Sequence, residues 1–130
     1  MNGRLAYCLI TVIVIFAVAG GVLVWIYQKN QPSTPSTLDA FVKCLEDKGV
    51  KFYGAFWCPH CQREKALFGS SEKYLPYVEC STPDGNDQLQ VCIQENIKAY
   101  PTWQFSDGSR QEGELTLREL SEKSGCQLSQ

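Results

Sequence analysis

The chain has 130 residues, a net charge of -2 and a pI near 5.4. That length holds one domain of ordinary size and little more. Lys and Arg are scattered without the basic stripe that tracks phosphates, which argues against nucleic acid as a partner.

The charges avoid one region altogether. Leu5 to Tyr27 reads LAYCLITVIVIFAVAGGVLVWIY, with no charged residue. As a helix this run would extend roughly 34 Å, enough to cross a hydrocarbon layer of about 30 Å. Trp25 and Tyr27 stand at one end and Tyr7 at the other, where amphipathic rings favour the headgroup boundary. Residues 1–28 are therefore expected to form an N-terminal transmembrane helix. The alternative is a cleaved signal peptide, because Ala17-Val18-Ala19 resembles a cleavage site. Against that, the apolar run continues through Val22, Leu23, Val24, Trp25 and Ile26, which a cleaved peptide does not need. Arg4 flanks one end and Lys29 the other, so the positive-inside count only weakly favours a cytoplasmic N-terminus.

Residues 29–37 are polar, with Pro32 and Pro35, and read as a short tether that cannot bury surface. Residues 38–130 are left for the folded domain. Leu38, Phe41, Val42 and Leu45 have the spacing of an amphipathic helix ending at Gly49. Val50 to Trp57 (VKFYGAFW) suits a buried strand. Cys58 then occupies a helix cap with Pro59 in the first turn, and that helix is expected to run to about Phe68. Tyr77-Val78-Glu79 predicts a short strand. Asp87 and Gln90 resemble a capping box opening a helix with Leu89, Cys92 and Ile93 on one face. Trp103 and Phe105 alternate as in a strand, and Asp107-Gly108 supplies a hairpin turn into Ser109 to Gly113. Thr116 and Glu119 form a capping box for a last helix, with Leu117 and Leu120 inward and Gly125 closing it. Helices alternating with strands in this order predict an α/β fold, a mixed sheet covered on both faces.

The chemistry is concentrated in Cys58-Pro59-His60-Cys61. Two cysteines one helical turn apart can bring their sulfurs within bonding distance. At a helix start, unpaired N–H groups and the positive end of the macrodipole favour thiolate at Cys58, while Cys61 lies one turn inside. Cys58 is thus expected to attack a disulfide and Cys61 to resolve the mixed disulfide. His60, the chain's one histidine, would stabilise the thiolate further as imidazolium and make the disulfide more oxidising. Zinc is the rival for any CxxC pair, but a second CxxC or CxxH is absent and His60 is badly placed to join the same ion. No metal is expected. No cofactor is expected either, beyond the redox-active pair itself.

Trp57-Cys58-Pro59-His60-Cys61 and Tyr100-Pro101-Thr102 resemble the strand-to-helix active site and the cis-proline loop of the thioredoxin fold. Tyr53 to Gln62, Tyr77-Val78-Glu79-Cys80 and Tyr100-Pro101-Thr102-Trp103 together resemble the thioredoxin-like domain fused to, or partnered with, bacterial homologues of vitamin K epoxide reductase. The resemblance covers about Leu38 to Cys126. It implies a cis peptide at Pro101, facing the dithiol, and client contacts at Trp57, Pro59 and Tyr100. It also supports a structural disulfide between Cys80 and Cys92, and elimination then pairs Cys44 with Cys126. Two departures stand out. The buried acid that cytosolic thioredoxins carry six residues before the first active-site cysteine is Phe52 here, which leaves Cys61 without an assigned proton acceptor. Pro-His in place of Gly-Pro between the cysteines favours oxidising chemistry.

Six domain cysteines, an even number, fit an oxidising compartment, so the domain is expected to face the periplasm or an equivalent space. The leading expectation is a single-pass oxidase or isomerase for cysteine-containing extracytoplasmic proteins, recharged by a quinone-linked membrane protein related to vitamin K epoxide reductase. Tethering would raise the effective concentration of Cys58 at that partner. The alternatives are a membrane-tethered reductant and a non-enzymatic module that holds clients at Tyr100-Pro101.

Overall fold

The computed structural model describes residues 3–29 and 38–128. The chain divides into two compact units, Met1–Thr34 and Pro35–Gln130. The first contains helix α1, Gly3–Lys29. Its side chains are described at positions 3, 10 and 12–27, and these are exposed. Among the described residues no helix is long and apolar enough to cross a membrane. The expectation of an anchor over residues 1–28 therefore rests on the sequence. Of the tether at residues 29–37, positions 30–37 lie outside the described residues.

The second unit contains α2 (Asp39–Asp47), β1 (Lys51–Gly54), α3 (Pro59–Ala66) and a 3-10 turn (Gly69–Tyr74). It continues through β2 (Tyr77–Glu79), α4 (Gln90–Gln94), β3 (Thr102–Gln104), β4 (Arg110–Glu112) and α5 (Leu117–Ser124). The sheet order is β2-β1-β3-β4. β1 runs parallel to β2, pairing Phe52 with Tyr77, and antiparallel to β3, pairing Phe52 with Trp103. The sheet is thus mixed, with helices flanking it. A parallel neighbour needs a crossover, and here α3 and the 3-10 turn supply it.

Alternation along β1 divides the core. Phe52 faces the larger cluster, where its ring stacks on Trp103 at 4.5 Å between centroids and meets Tyr77 at 5.4 Å. Phe41, Val42 and Leu45 of α2 join it, as do Phe68 and Leu120. Tyr53, one residue on, points to the opposite face, as a strand requires, and packs with Cys80, Cys92 and Ile97. Disulfides join Cys44 to Cys126, tying α2 to the end of α5, and Cys80 to Cys92, tying the end of β2 to α4.

Three local expectations need correction. The strand expected over Val50 to Trp57 stops at Gly54, because the backbone must turn before the helix: Cys58 N–H donates to the Ala55 carbonyl at 3.0 Å. Asp87 does not cap α4. Leu89 is the cap residue and makes no side-chain cap bond, while Asp87 is committed to Thr82, its N–H reaching Thr82 Oγ1 at 3.1 Å. Ile93 is 51% exposed rather than inward like Cys92, since a helix of five residues makes less than one and a half turns and here buries only Cys92. The last helix keeps its capping box between Thr116 and Glu119, and Gly125 closes it at φ 68°.

Candidate active site

Cys58 stands in extended conformation (φ -77°, ψ 117°) as the cap of α3, and Pro59 follows, where a missing N–H leaves no bond unmade. The Cys61 N–H points at Cys58 Sγ at 3.4 Å, so the helix start donates directly to this sulfur. Cys58 and Cys61 are both free thiols. They are also both covered, at 4% and 1% exposure. In the dithiol form the Cys58 sulfur therefore lies beneath a rim of neighbours. Burial, reinforced by the hydrogen bond to Cys58, pushes the Cys61 thiol up to about 12. That separates the two roles, because the inner sulfur keeps its proton at neutral pH.

The rim is aromatic. Trp57 is half exposed and meets Tyr100 edge-on at 6.1 Å. Its indole Nε1 donates to Ser81 Oγ at 2.8 Å. The Tyr100–Pro101 peptide is cis, and the Cys58 thiol lies 3.8 Å from the Tyr100 carbonyl oxygen. Tyr100 is held in turn by Gln88, whose Nε2 reaches its hydroxyl at 2.6 Å. Pro59 is exposed beside the dithiol and Pro101 is buried.

His60 is exposed, with Nδ1 2.6 Å from Glu114 Oε1. Arg63 shares that carboxylate, Nη2 lying 2.6 Å from the same oxygen. Arg63 first and His60 second hold the Glu114 carboxyl below the usual carboxylate range. Neither Arg63 nor Glu114 stands out in the sequence. Arg63 is one helical turn from His60, a spacing that could have signalled it, but Glu114 comes from a distant segment.

Two buried-side groups were also missed. Glu64, fully buried, accepts from Trp103 Nε1 at 3.0 Å and from the Leu115 N–H at 3.0 Å, and burial pushes it up to about 7. Glu79 gathers the backbone N–H groups of Phe56, Cys80 and Ser81 on one oxygen, and takes the Tyr77 hydroxyl on the other at 2.8 Å. Gly54 explains how closely this group approaches the dithiol. A β-carbon there would lie 2.9 Å from Cys61 Sγ and 2.9 Å from the Tyr77 ring, so only glycine fits between them. A glycine inside a strand signals such an approach. Among the described residues no cluster of three or more His, Cys, Asp or Glu is placed to hold a metal.

A dithiol at a helix start, opposite a cis-proline loop, is built for thiol–disulfide exchange. The chain is 33% identical to thioredoxin from Callithrix jacchus over 85 residues, which span 78% of that protein and 60% of this chain. The chain belongs to the thioredoxin family. It is also 43% identical over 106 residues to the thiol-disulfide oxidoreductase LTO1 of Arabidopsis thaliana, covering 78% of this chain but only 27% of that longer protein. No protein-family profile matches it. As a thioredoxin relative with this dithiol, the chain is a thiol–disulfide oxidoreductase with a thioredoxin-like α/β domain.

Proposed function

We infer that the domain works as a membrane-anchored oxidase or isomerase of extracytoplasmic proteins, through the Cys58–Cys61 disulfide and without another cofactor. The observation that carries this reading is the presence, in one small domain, of two closed disulfides beside an open dithiol. Closed structural disulfides belong to oxidising compartments. The uncharged run Leu5 to Tyr27 supports the anchor, and Pro59-His60 between the cysteines supports the oxidising direction.

In the forward step a client thiolate attacks Cys58 Sγ. The Cys58–Cys61 bond breaks and a mixed disulfide forms, with Cys61 leaving as thiolate. A second client thiolate then displaces Cys58, so the client is oxidised by two electrons and the dithiol is left reduced. Trp57, Pro59 and Tyr100 flank the sulfur that is attacked, and the Tyr100 carbonyl offers an extended client a backbone partner. The two electrons would pass to a quinone-linked membrane protein related to vitamin K epoxide reductase. The resemblance of the motifs around Cys58, Tyr77 and Tyr100 to the domain found with such reductases supports that partner class.

Equilibrating the pair against a glutathione series tests the direction. An oxidant gives a midpoint well above the roughly -270 mV of thioredoxin, toward the roughly -120 mV of strong oxidants. A midpoint at the thioredoxin value would instead make the protein a tethered reductant. Membrane fractionation with an impermeant maleimide tests the setting: a soluble chain, or a dithiol labelled only after lysis, removes the extracytoplasmic reading.

A further inference from the structure

With Phe52 where related proteins carry a buried acid, Cys61 needs another source of help to lose its proton. Three residues on the Gly54 side of the sulfur are arranged around it. Lys65 follows Cys61 by one helical turn and so shares its face of α3. Its Nζ sits 3.4 Å from the centroid of the Tyr77 ring. The edge of that ring and Cys61 Sγ meet at Gly54, each 2.9 Å from where a β-carbon would be. Tyr77 cannot swing away, because its hydroxyl is bonded to Glu79 at 2.8 Å and Glu79 is fixed by three backbone N–H groups. Around Cys61, then, Cys58 and Lys65 come from its own helix, and Tyr77, backed by Glu79, from β2.

We propose that Lys65, seated on the Tyr77 ring, is a positioning residue that stabilises the thiolate of Cys61 whenever that sulfur attacks or leaves. The proposal rests on the oxidoreductase reading and assigns to a half-buried lysine a task that Phe52 cannot perform. An ammonium over an aromatic face is held by the ring quadrupole, and in a partly desolvated site its field on a nearby sulfur is only weakly screened. Burial acts most strongly on Cys61, against its charged form; the backbone hydrogen bond at Ala55 and, more weakly, the Lys65 ammonium favour that form. In the reducing direction Cys61 gives its proton to solvent and attacks Cys58 Sγ. The Cys58–client bond breaks, and the client sulfur leaves with the electron pair. In the oxidising direction Cys61 is the leaving group. A thiolate stabilised by Lys65 serves both directions.

The experiment uses the full chain carrying Cys8→Ser, reduced and mixed with dithiobis(nitrobenzoate). Attack by Cys58 releases one nitrothiolate and leaves the aromatic mixed disulfide, and attack by Cys61 releases the second. Lys65→Met should slow the second release relative to the first by about tenfold at neutral pH, and move its pH midpoint up by about one unit. Lys65→Arg should restore both. A second release in Lys65→Met with the unaltered rate and pH midpoint overturns the proposal, as does failure of Lys65→Arg to rescue. A parent chain that gives no second release at any pH overturns the oxidoreductase reading itself, a result distinct from either.

Discussion

Trp57 and Ser81 are joined by a hydrogen bond of 2.8 Å from indole to hydroxyl. Through it, the residue preceding Cys58 is tied to the loop that the Cys80–Cys92 disulfide closes. Gly85 in the same loop lies near the Trp57 ring, which a β-carbon there would meet at 3.6 Å, and Gln88 holds the Tyr100 hydroxyl. One short loop therefore positions both aromatic walls of the dithiol.

Replacing Cys80 and Cys92 by alanine should accordingly damage activity as well as stability. Closing a loop of this length contributes about 3 kcal/mol. Replacing Cys44 and Cys126, whose sequence separation is 82, should cost more, up to about 4.5 kcal/mol, yet should leave exchange rates of the folded protein near those of the parent. Denaturant melts and insulin reduction measured on both variants make the comparison. Equal loss of rate in the two would show that the Cys80–Cys92 loop has no special hold on the site.

Glu64 predicts a pH dependence of stability. Its carboxyl titrates near the usual range when unfolded and is pushed up to about 7 by burial in the fold. Between those values the native state binds a proton that the unfolded state has lost, so the contribution of this group is full at low pH and falls as pH rises to about 7. The loss is on the order of 3 kcal/mol. Trp103 Nε1 and the Leu115 N–H donate to different oxygens of Glu64, so Glu64→Gln keeps an acceptor for only one of them and starts from a lower stability. It does not titrate, however, and its stability relative to the parent should therefore rise across this pH window. A constant difference between the two would mean that Glu64 is ionised at the same pH folded and unfolded.

Tyr53 carries, among the described residues, a buried hydroxyl without a hydrogen-bond partner. Leaving such a group unpaired costs about 1–3 kcal/mol. Tyr53→Phe keeps the ring against Cys80, Cys92 and Ile97 and should raise the unfolding free energy by about 1 kcal/mol. Destabilisation in a chemical melt would reveal a partner for that hydroxyl.

What was legible in the sequence is what depends on neighbours in the chain. Tyr77–Glu79 is readable as a strand, Thr116 with Glu119 as a cap, and Cys58-Pro59 as a helix start, because each signal lies within a few residues of the structure it makes. The 3-10 turn Gly69–Tyr74 was not legible, since GSSEKY has no apolar period and its placement comes from packing, with Ser71 Oγ donating to Asp39. The same limit applies around the dithiol. Ser81, Glu79 and Glu114 reach the site from other elements, 24, 23 and 51 residues from their partners, and nothing local marks them. Lys65 and Arg63 lie on the same helix as Cys61, but a charged residue on a helix reads first as a solvated one.

The last prediction concerns the charges at the rim. Arg63 lies on α3, which Cys58 caps, and Glu114 offsets its guanidinium at 2.6 Å. A positive charge near Cys58 stabilises its thiolate, hence the reduced form, and makes the disulfide a stronger oxidant. Glu114→Gln uncovers Arg63 and should move the reduction potential to a less negative value. Arg63→Gln removes the charge and should move it the other way. Because these groups are exposed and screened by solvent, each shift should stay below about 30 mV, the equivalent of tenfold in the exchange equilibrium. The shifts should shrink as salt is raised. Equilibration with glutathione at low and high ionic strength reads both effects, and two variants shifting in the same direction would show that the rim acts on the dithiol through shape rather than charge.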